Sequence, residues 1–167
     1  MKLLVDLLPC QSGSRKRGIG RYTLELTKAL ATTRGKHELL CMADAGFSEA
    51  LEDLRRIFMD RLLIKDFQVY HHAQIPLDDL ENFEKYKKVA TSLIDQARKA
   101  AAPDMVITTS FFEGWGNHRV TIPMPKKQTP GYLQVMILYD LIPLPYQEHY
   151  LDPPPDIRKS YFSLLDH

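Results

Sequence analysis

Apolar and polar positions along the chain alternate between two patterns. Residues 2–8, 38–43, 62–70, 105–108 and 133–138 are short, nearly continuous apolar runs, the pattern of strands buried on both faces. Between them lie segments with apolar residues three and four apart, the helical period. A helix is predicted from Gly18 to about Gly35, with Ile19, Tyr22, Leu26, Ala29 and Leu30 on one face. Ser48 is the expected N-cap of a second helix that carries Leu51, Leu54, Ile57 and Phe58. The longest helix is predicted from Pro76 and the pair Asp78 and Asp79 to about Ala102. Its apolar stripe runs through Leu80, Phe83, Tyr86, Ala90, Leu93, Ile94, Ala97 and Ala101. Arg98 and Lys99 near its end suit the helix dipole, and Pro103 stops it. A short extra strand is expected at 118–122, a turn at 126–131, and a final helix after 153–155 with Ile157, Tyr161, Leu164 and Leu165 inward.

Strands alternating with helices predict an α/β fold: a Rossmann-like, mainly parallel sheet with helices on both faces. Ligands of such folds bind at the carboxyl ends of the strands. The segments to read for chemistry are therefore those after strands one, four and five. A length of 167 residues suits a single domain, and such a chain buries roughly 70% of its unfolded surface. Hydrophobic residues at 44% and charged residues at 26% are ordinary for a globular protein. The net charge of +1 speaks against a dedicated nucleic-acid binder and against disorder. Cys10 and Cys41 are too few for a disulfide scaffold, so buried free thiols and a reducing cytosol are expected. The apolar start breaks at Asp6, unlike a signal peptide, and no run has the length of a membrane span.

After strand one, Gly18 and Gly20 open a helix whose free backbone N–H groups and dipole favour an anion. Arg15, Lys16, Arg17 and Arg21 surround it with positive charge. A phosphate site and a solvated basic turn both fit this pattern. The dinucleotide fingerprint fails, because Thr23 stands where a third Gly or Ala is required. The P-loop fails too, because Ile19 and Gly20 follow Gly18 in place of Lys and Ser/Thr. After strand four, Glu113 stands among Phe111, Phe112 and Trp115. Aromatic faces suit sugar rings and a carboxylate suits their hydroxyls, although the aromatics also suit the closing of a core. Tyr139 and Asp140 end strand five. Asp140 binds a ligand hydroxyl there or, as local physics favours, caps the next turn. His71, His72 and His149 lack metal-ligand spacing, so no metal is expected. The patch of Lys85, Lys87 and Lys88 reads as a solvated helix face.

Three strings, in order, carry a resemblance: RGIGRYTLELTKAL from Arg17, SFFEGW from Ser110 and VMILYDLIPLPYQEHYL from Val135. Together they resemble the N-terminal domain of glycosyltransferase family 4, the retaining GT-B enzymes. The middle string is similar to that of bacterial members building surface polysaccharides such as O-antigen, mannosyltransferases among them. The resemblance implies that residues 1–167 form the acceptor-side half of a two-domain enzyme. The donor-binding C-terminal domain, with its paired glutamates, is expected to lie outside this chain, which stops about three turns into an uncapped helix. It implies a nucleotide-diphosphate sugar as co-substrate, GDP-mannose among the candidates, and a polysaccharide or lipid-linked acceptor. It implies no cofactor and no metal. The backbone at Gly18 and Gly20, flanked by Arg17 and Arg21, would approach the donor diphosphate. Glu113, Trp115, Tyr139 and Asp140 would face sugars. Tyr139 stands where many relatives have His, so a histidine role does not carry over. A lipid-linked acceptor implies peripheral contact with the inner membrane, helped by Arg15, Lys16, Arg17, Lys126 and Lys127. Two other readings fit the residues less well: a nucleotide-cofactor oxidoreductase or epimerase domain, and a non-catalytic α/β interaction module.

Overall fold

The computed structural model describes residues 1–71, 83–110, 131–138, 141–152, 158, 161 and 162. Among these, five strands form one sheet: β1 (Lys2–Asp6), β2 (Glu38–Asp44), β3 (Phe67–Tyr70), β4 (Met105–Thr108) and β5 (Leu133–Met136). All neighbours are parallel, and the order is β3-β2-β1-β4-β5. Among the described residues the sheet is accompanied by α1 (Gly18–Thr33), α2 (Ser48–Phe58), α3 (Phe83–Ala101) and the short α4 (Gln147–Tyr150).

Parallel strands force each connection to cross a face of the sheet. Val5, Leu39, Cys41 and Phe67 pack on one face with Ala31 of α1 and with Leu51, Leu54 and Phe58 of α2. Leu4, Leu40, Met42 and Val106 pack on the other with Ile94, Ala97 and Ala101 of α3. The chain thus builds outward from β1 to β3, then returns across the opposite face to place β4 beside β1. That reversal makes the carboxyl ends of β1 and β4 the switch point of a Rossmann-like fold.

Several expectations need correction. The face that α1 buries matches the predicted apolar face only in part: Leu30 packs against the core, but Ala29 is exposed. Gly20, Thr23, Thr27 and Ala31 face inward, while Tyr22 is exposed. Thr27 Oγ1 donates to Thr23 O at 2.8 Å, which lets a hydroxyl enter the core at little cost. Small residues on this stripe allow close approach to the 3-10 turn at Leu8–Cys10. Ser48 is the first residue of α2 rather than its cap. The chain before it is held by Asp44, whose Oδ1 accepts from Gly46 N at 2.8 Å. Ile57 lies outside the core, and Leu63 and Ile64 are exposed ahead of the shorter β3. β1 ends at Asp6, where a 3-10 turn at Leu8–Cys10 begins. β5 is a largely exposed edge strand rather than a fully buried one. Gly35, at φ +55, lies just past the end of α1 in the left-handed region that glycine tolerates. The start of the long helix, the strand at 118–122 and most of the final helix lie outside the described residues.

Candidate functional site at the strand switch point

The site is built from strand ends. Four side chains of one face stand at the carboxyl ends of neighbouring strands: Asp6, Asp44, Tyr70 and Thr108. All are buried. From α3, on that same face, comes Arg98, only 1% exposed. Its Nη2 lies 3.8 Å from Asp6 Oδ2, and its Nη1 lies 4.0 Å from Asp95 Oδ1. Asp6 Oδ1 accepts from Leu8 N at 3.0 Å. Burial pushes the Asp6 carboxyl above the usual carboxylate range, against the pull of Arg98 and the Leu8 N–H. Burial, with Asp6 and Asp44 nearby, raises the Tyr70 phenol, so it stays neutral at physiological pH.

Hydrogen bonds pin the surrounding chain. Gln11 makes a two-point clamp on β2: its Nε2 donates to Asp44 O at 3.0 Å, and Asp44 N donates to its Oε1 at 2.8 Å. Leu7 N donates to Met42 O at 2.9 Å. Thr109 Oγ1 donates to Asp6 O at 2.8 Å, joining the ends of β4 and β1. Among the described residues, Ser110 Oγ is buried without a hydrogen-bond partner. An unpaired buried hydroxyl is costly, so it is a ready contact for a bound hydroxyl or water.

The glycine loop divides into an enclosed half and an open half. Gly20 is buried, and a Cβ there would stand 2.8 Å from both Cα and O of Arg15. Its lack of a side chain is needed by the loop's own backbone. Cys10 Sγ also donates to Gly20 O at 3.4 Å. Gly18, by contrast, has nothing within 4 Å of where a Cβ would be. Arg17 and Arg21 beside it are exposed. Arg15 is turned elsewhere: it forms an ion pair with Asp53 on α2. The open amino end of α1 is therefore framed by Gly18, Arg17 and Arg21, without Arg15. Residues 7–17 form a long pinned excursion, unlike the tight turn of a dinucleotide fingerprint.

Glu113, Trp115, Tyr139 and Asp140 lie outside the described residues. Sequence reasoning missed Asp6, Gln11, Asp44, Thr109 and Ser110, although polar residues directly after apolar strands are a readable signal. Arg98 lies in the last turn of α3, as the dipole reading has it, but it is also buried. Its spacing of four from Ile94 and three from Ala101 puts it in the buried stripe. Among the described residues, no group of three or more His, Cys, Asp or Glu side chains is placed to hold a metal ion. No described helix is long and apolar enough to cross a membrane.

The chain is similar along nearly all its length to a serotype-specific mannosyltransferase WbdA of Escherichia coli. The two are 30% identical over 167 residues, which is 99% of this chain and 19% of the relative. A second Escherichia coli protein of the same name is 29% identical over 142 residues, covering 84% of this chain and 17% of the relative. This chain therefore spans about one fifth of the length of these relatives. No protein-family model matches it, and no solved structure does.

Proposed function

We propose that this chain is the N-terminal, acceptor-side domain of a retaining glycosyltransferase of family 4 with GT-B architecture. It would serve transfer of a sugar, mannose first, from a nucleotide-diphosphate sugar such as GDP-mannose to a polysaccharide or lipid-linked acceptor. The observation that carries this reading is the similarity to mannosyltransferases along 99% of the chain. The fold adds a topological switch point between β1 and β4, the place where parallel α/β sheets bind ligands.

In this reading a second Rossmann-like domain of the same protein brings the donor to the crevice. Its diphosphate approaches the amino end of α1 at Gly18. There the helix dipole, Arg17 and Arg21 stabilise the charge that develops on the leaving group. That stabilisation needs no metal ion. Glu113, Trp115, Tyr139 and Asp140 hold sugar hydroxyls and ring faces. The Asp6–Arg98 pair and the Gln11 clamp keep the ends of β1 and β2 in place. Contact with anionic lipid falls to Lys16 and Arg17 rather than Arg15, whose charge is matched by Asp53.

The test is to supply the protein bearing this domain with labelled GDP-mannose, UDP-glucose and a mannose-containing saccharide acceptor. Transfer of mannose with retained anomeric configuration, read by NMR of the product, is the expected outcome. Transfer with inversion would overturn the family assignment. Absence of transfer from either donor to any mannose-containing or lipid-linked acceptor would overturn the activity.

A further inference from the structure

A hollow lies in the chain that follows β5, with no glycine-loop residue in its lining. It has a volume of about 470 Å³ and is lined mainly by Tyr146, Gln147, Glu148, His149, Asp152 and Arg158. That volume falls within the range of small-ligand sites. One half-exposed side chain braces the hollow. Arg158 Nη1 donates to Asp152 Oδ1 at 2.7 Å, and Nη2 donates to Gln147 Oε1 at 2.8 Å. The Arg158 guanidinium also lies 6.0 Å from the centroid of the Phe162 ring, within reach of a cation–π contact. A planar guanidinium held on two sides is pre-organised, with little entropy left to lose on binding.

Charge decides the ligand class. The lining holds two carboxylates, Glu148 and Asp152, against one guanidinium already paired with Asp152. Such a hollow repels a phosphate, so it is no part of a donor diphosphate site. It offers a neutral polyol many partners: an amide, an imidazole, carboxylates that accept from hydroxyls, and the half-exposed phenol of Tyr146. An exposed aromatic beside fixed planar polar groups is the chemistry that recognises sugar rings. We infer that this hollow is a binding subsite for a neutral saccharide, engaging acceptor sugar residues remote from the bond being formed. The subsite deepens the glycosyltransferase reading and rests on it for the word acceptor; saccharide binding itself does not depend on transfer.

The experiment measures binding of a linear mannose tetrasaccharide, a linear glucose tetrasaccharide and inorganic diphosphate to the whole protein. Saturation-transfer NMR and calorimetry provide the readout. At least one tetrasaccharide is expected to bind. Arg158→Ala should weaken that binding by about tenfold or more, the value of a charge-assisted hydrogen bond. Glu148→Gln and Tyr146→Ala, both at exposed positions, should weaken it several-fold with an unchanged melting temperature. Those two decide the matter if Arg158→Ala fails to fold. Gly18→Val should leave saccharide affinity unchanged. Failure of both tetrasaccharides to bind the folded protein overturns the subsite. So does unaltered affinity in the folded variants, or displacement of the saccharide by diphosphate. Saccharide binding that persists in a protein unable to transfer sugar would count against the transferase reading alone.

Discussion

The two faces of the sheet carry cores of different kinds. On the α1 and α2 face, buried side chains are apolar or small from Leu3 up to Leu7 and Cys10. On the α3 face, an equally apolar lower part through Leu4, Leu40 and Val106 gives way at the strand ends to Asp6, Asp44, Tyr70 and Arg98. One face is sealed for stability. The other takes buried charges to its upper end, where replacing an ion pair by apolar residues is often neutral or better for stability. Charges kept in such a place point to a demand other than stability, and their position at the switch point says where that demand lies.

The largest expected effect breaks the polar end of the α3 face. Arg98→Met leaves Asp6 buried without its cation and should cost about 3–5 kcal/mol at neutral pH, measured by urea denaturation. The double variant Asp6→Asn with Arg98→Met should be less destabilised than Arg98→Met alone. Equal losses would mean that the two side chains are not coupled.

On the sealed face, Leu39→Ala should cost about 2–5 kcal/mol by opening a cavity. The loss should be the same at acid and neutral pH, whereas that of Arg98→Met should shrink in acid as Asp6 takes up a proton. Next in size is a contrast between two glycines of α1. Gly20→Ala forces a methyl against the Arg15 backbone and should cost about 1–3 kcal/mol. Gly18→Ala, facing open space, should stay within about 0.5 kcal/mol of wild type. Thermal unfolding of both variants checks this; equal effects would contradict the enclosed and open halves of the loop.

The smallest effect is a slope. The Asp6 carboxyl is raised by burial, so its contribution belongs to the protonated form. That contribution is fully present below the unfolded carboxylate range and is lost as pH rises through the folded-state value. Wild type should therefore gain stability relative to Asp6→Asn as pH falls, read from urea midpoints across that interval. A difference that is flat in pH would show that Asp6 is not raised.

The strands were legible because parallel strands buried on both faces leave unbroken apolar runs, and their alternation with helical periods implied the α/β layers. The faces of the helices were less so. Thr27 turns inward because a helical threonine can bond its hydroxyl to the preceding turn, while Tyr22 looks apolar and turns out. Of the loop residues, Arg17, Gly18 and Arg21 are exposed. Gly20 is explained by packing of the loop on itself, and Arg15 by Asp53. Arg98 does sit in the last turn of α3 as the dipole favours, but its burial stayed hidden because the dipole already accounts for a charge there. Only the tertiary position of Asp6 reveals its burial. The third resemblance string contains Leu144 through His149, but only side-chain geometry joins them with Asp152 and Arg158 into a hollow.

The central claim is that the open amino end of α1 takes part in sugar transfer, and Gly18→Val tests it most directly. The site has room for the added side chain, so the variant should fold, and its melting temperature serves as the check. Turnover of labelled GDP-mannose by the protein bearing Gly18→Val should fall by about 100-fold or more, the scale of losing a pre-organised anion-stabilising contact. Turnover equal to wild type in the folded variant would contradict the account.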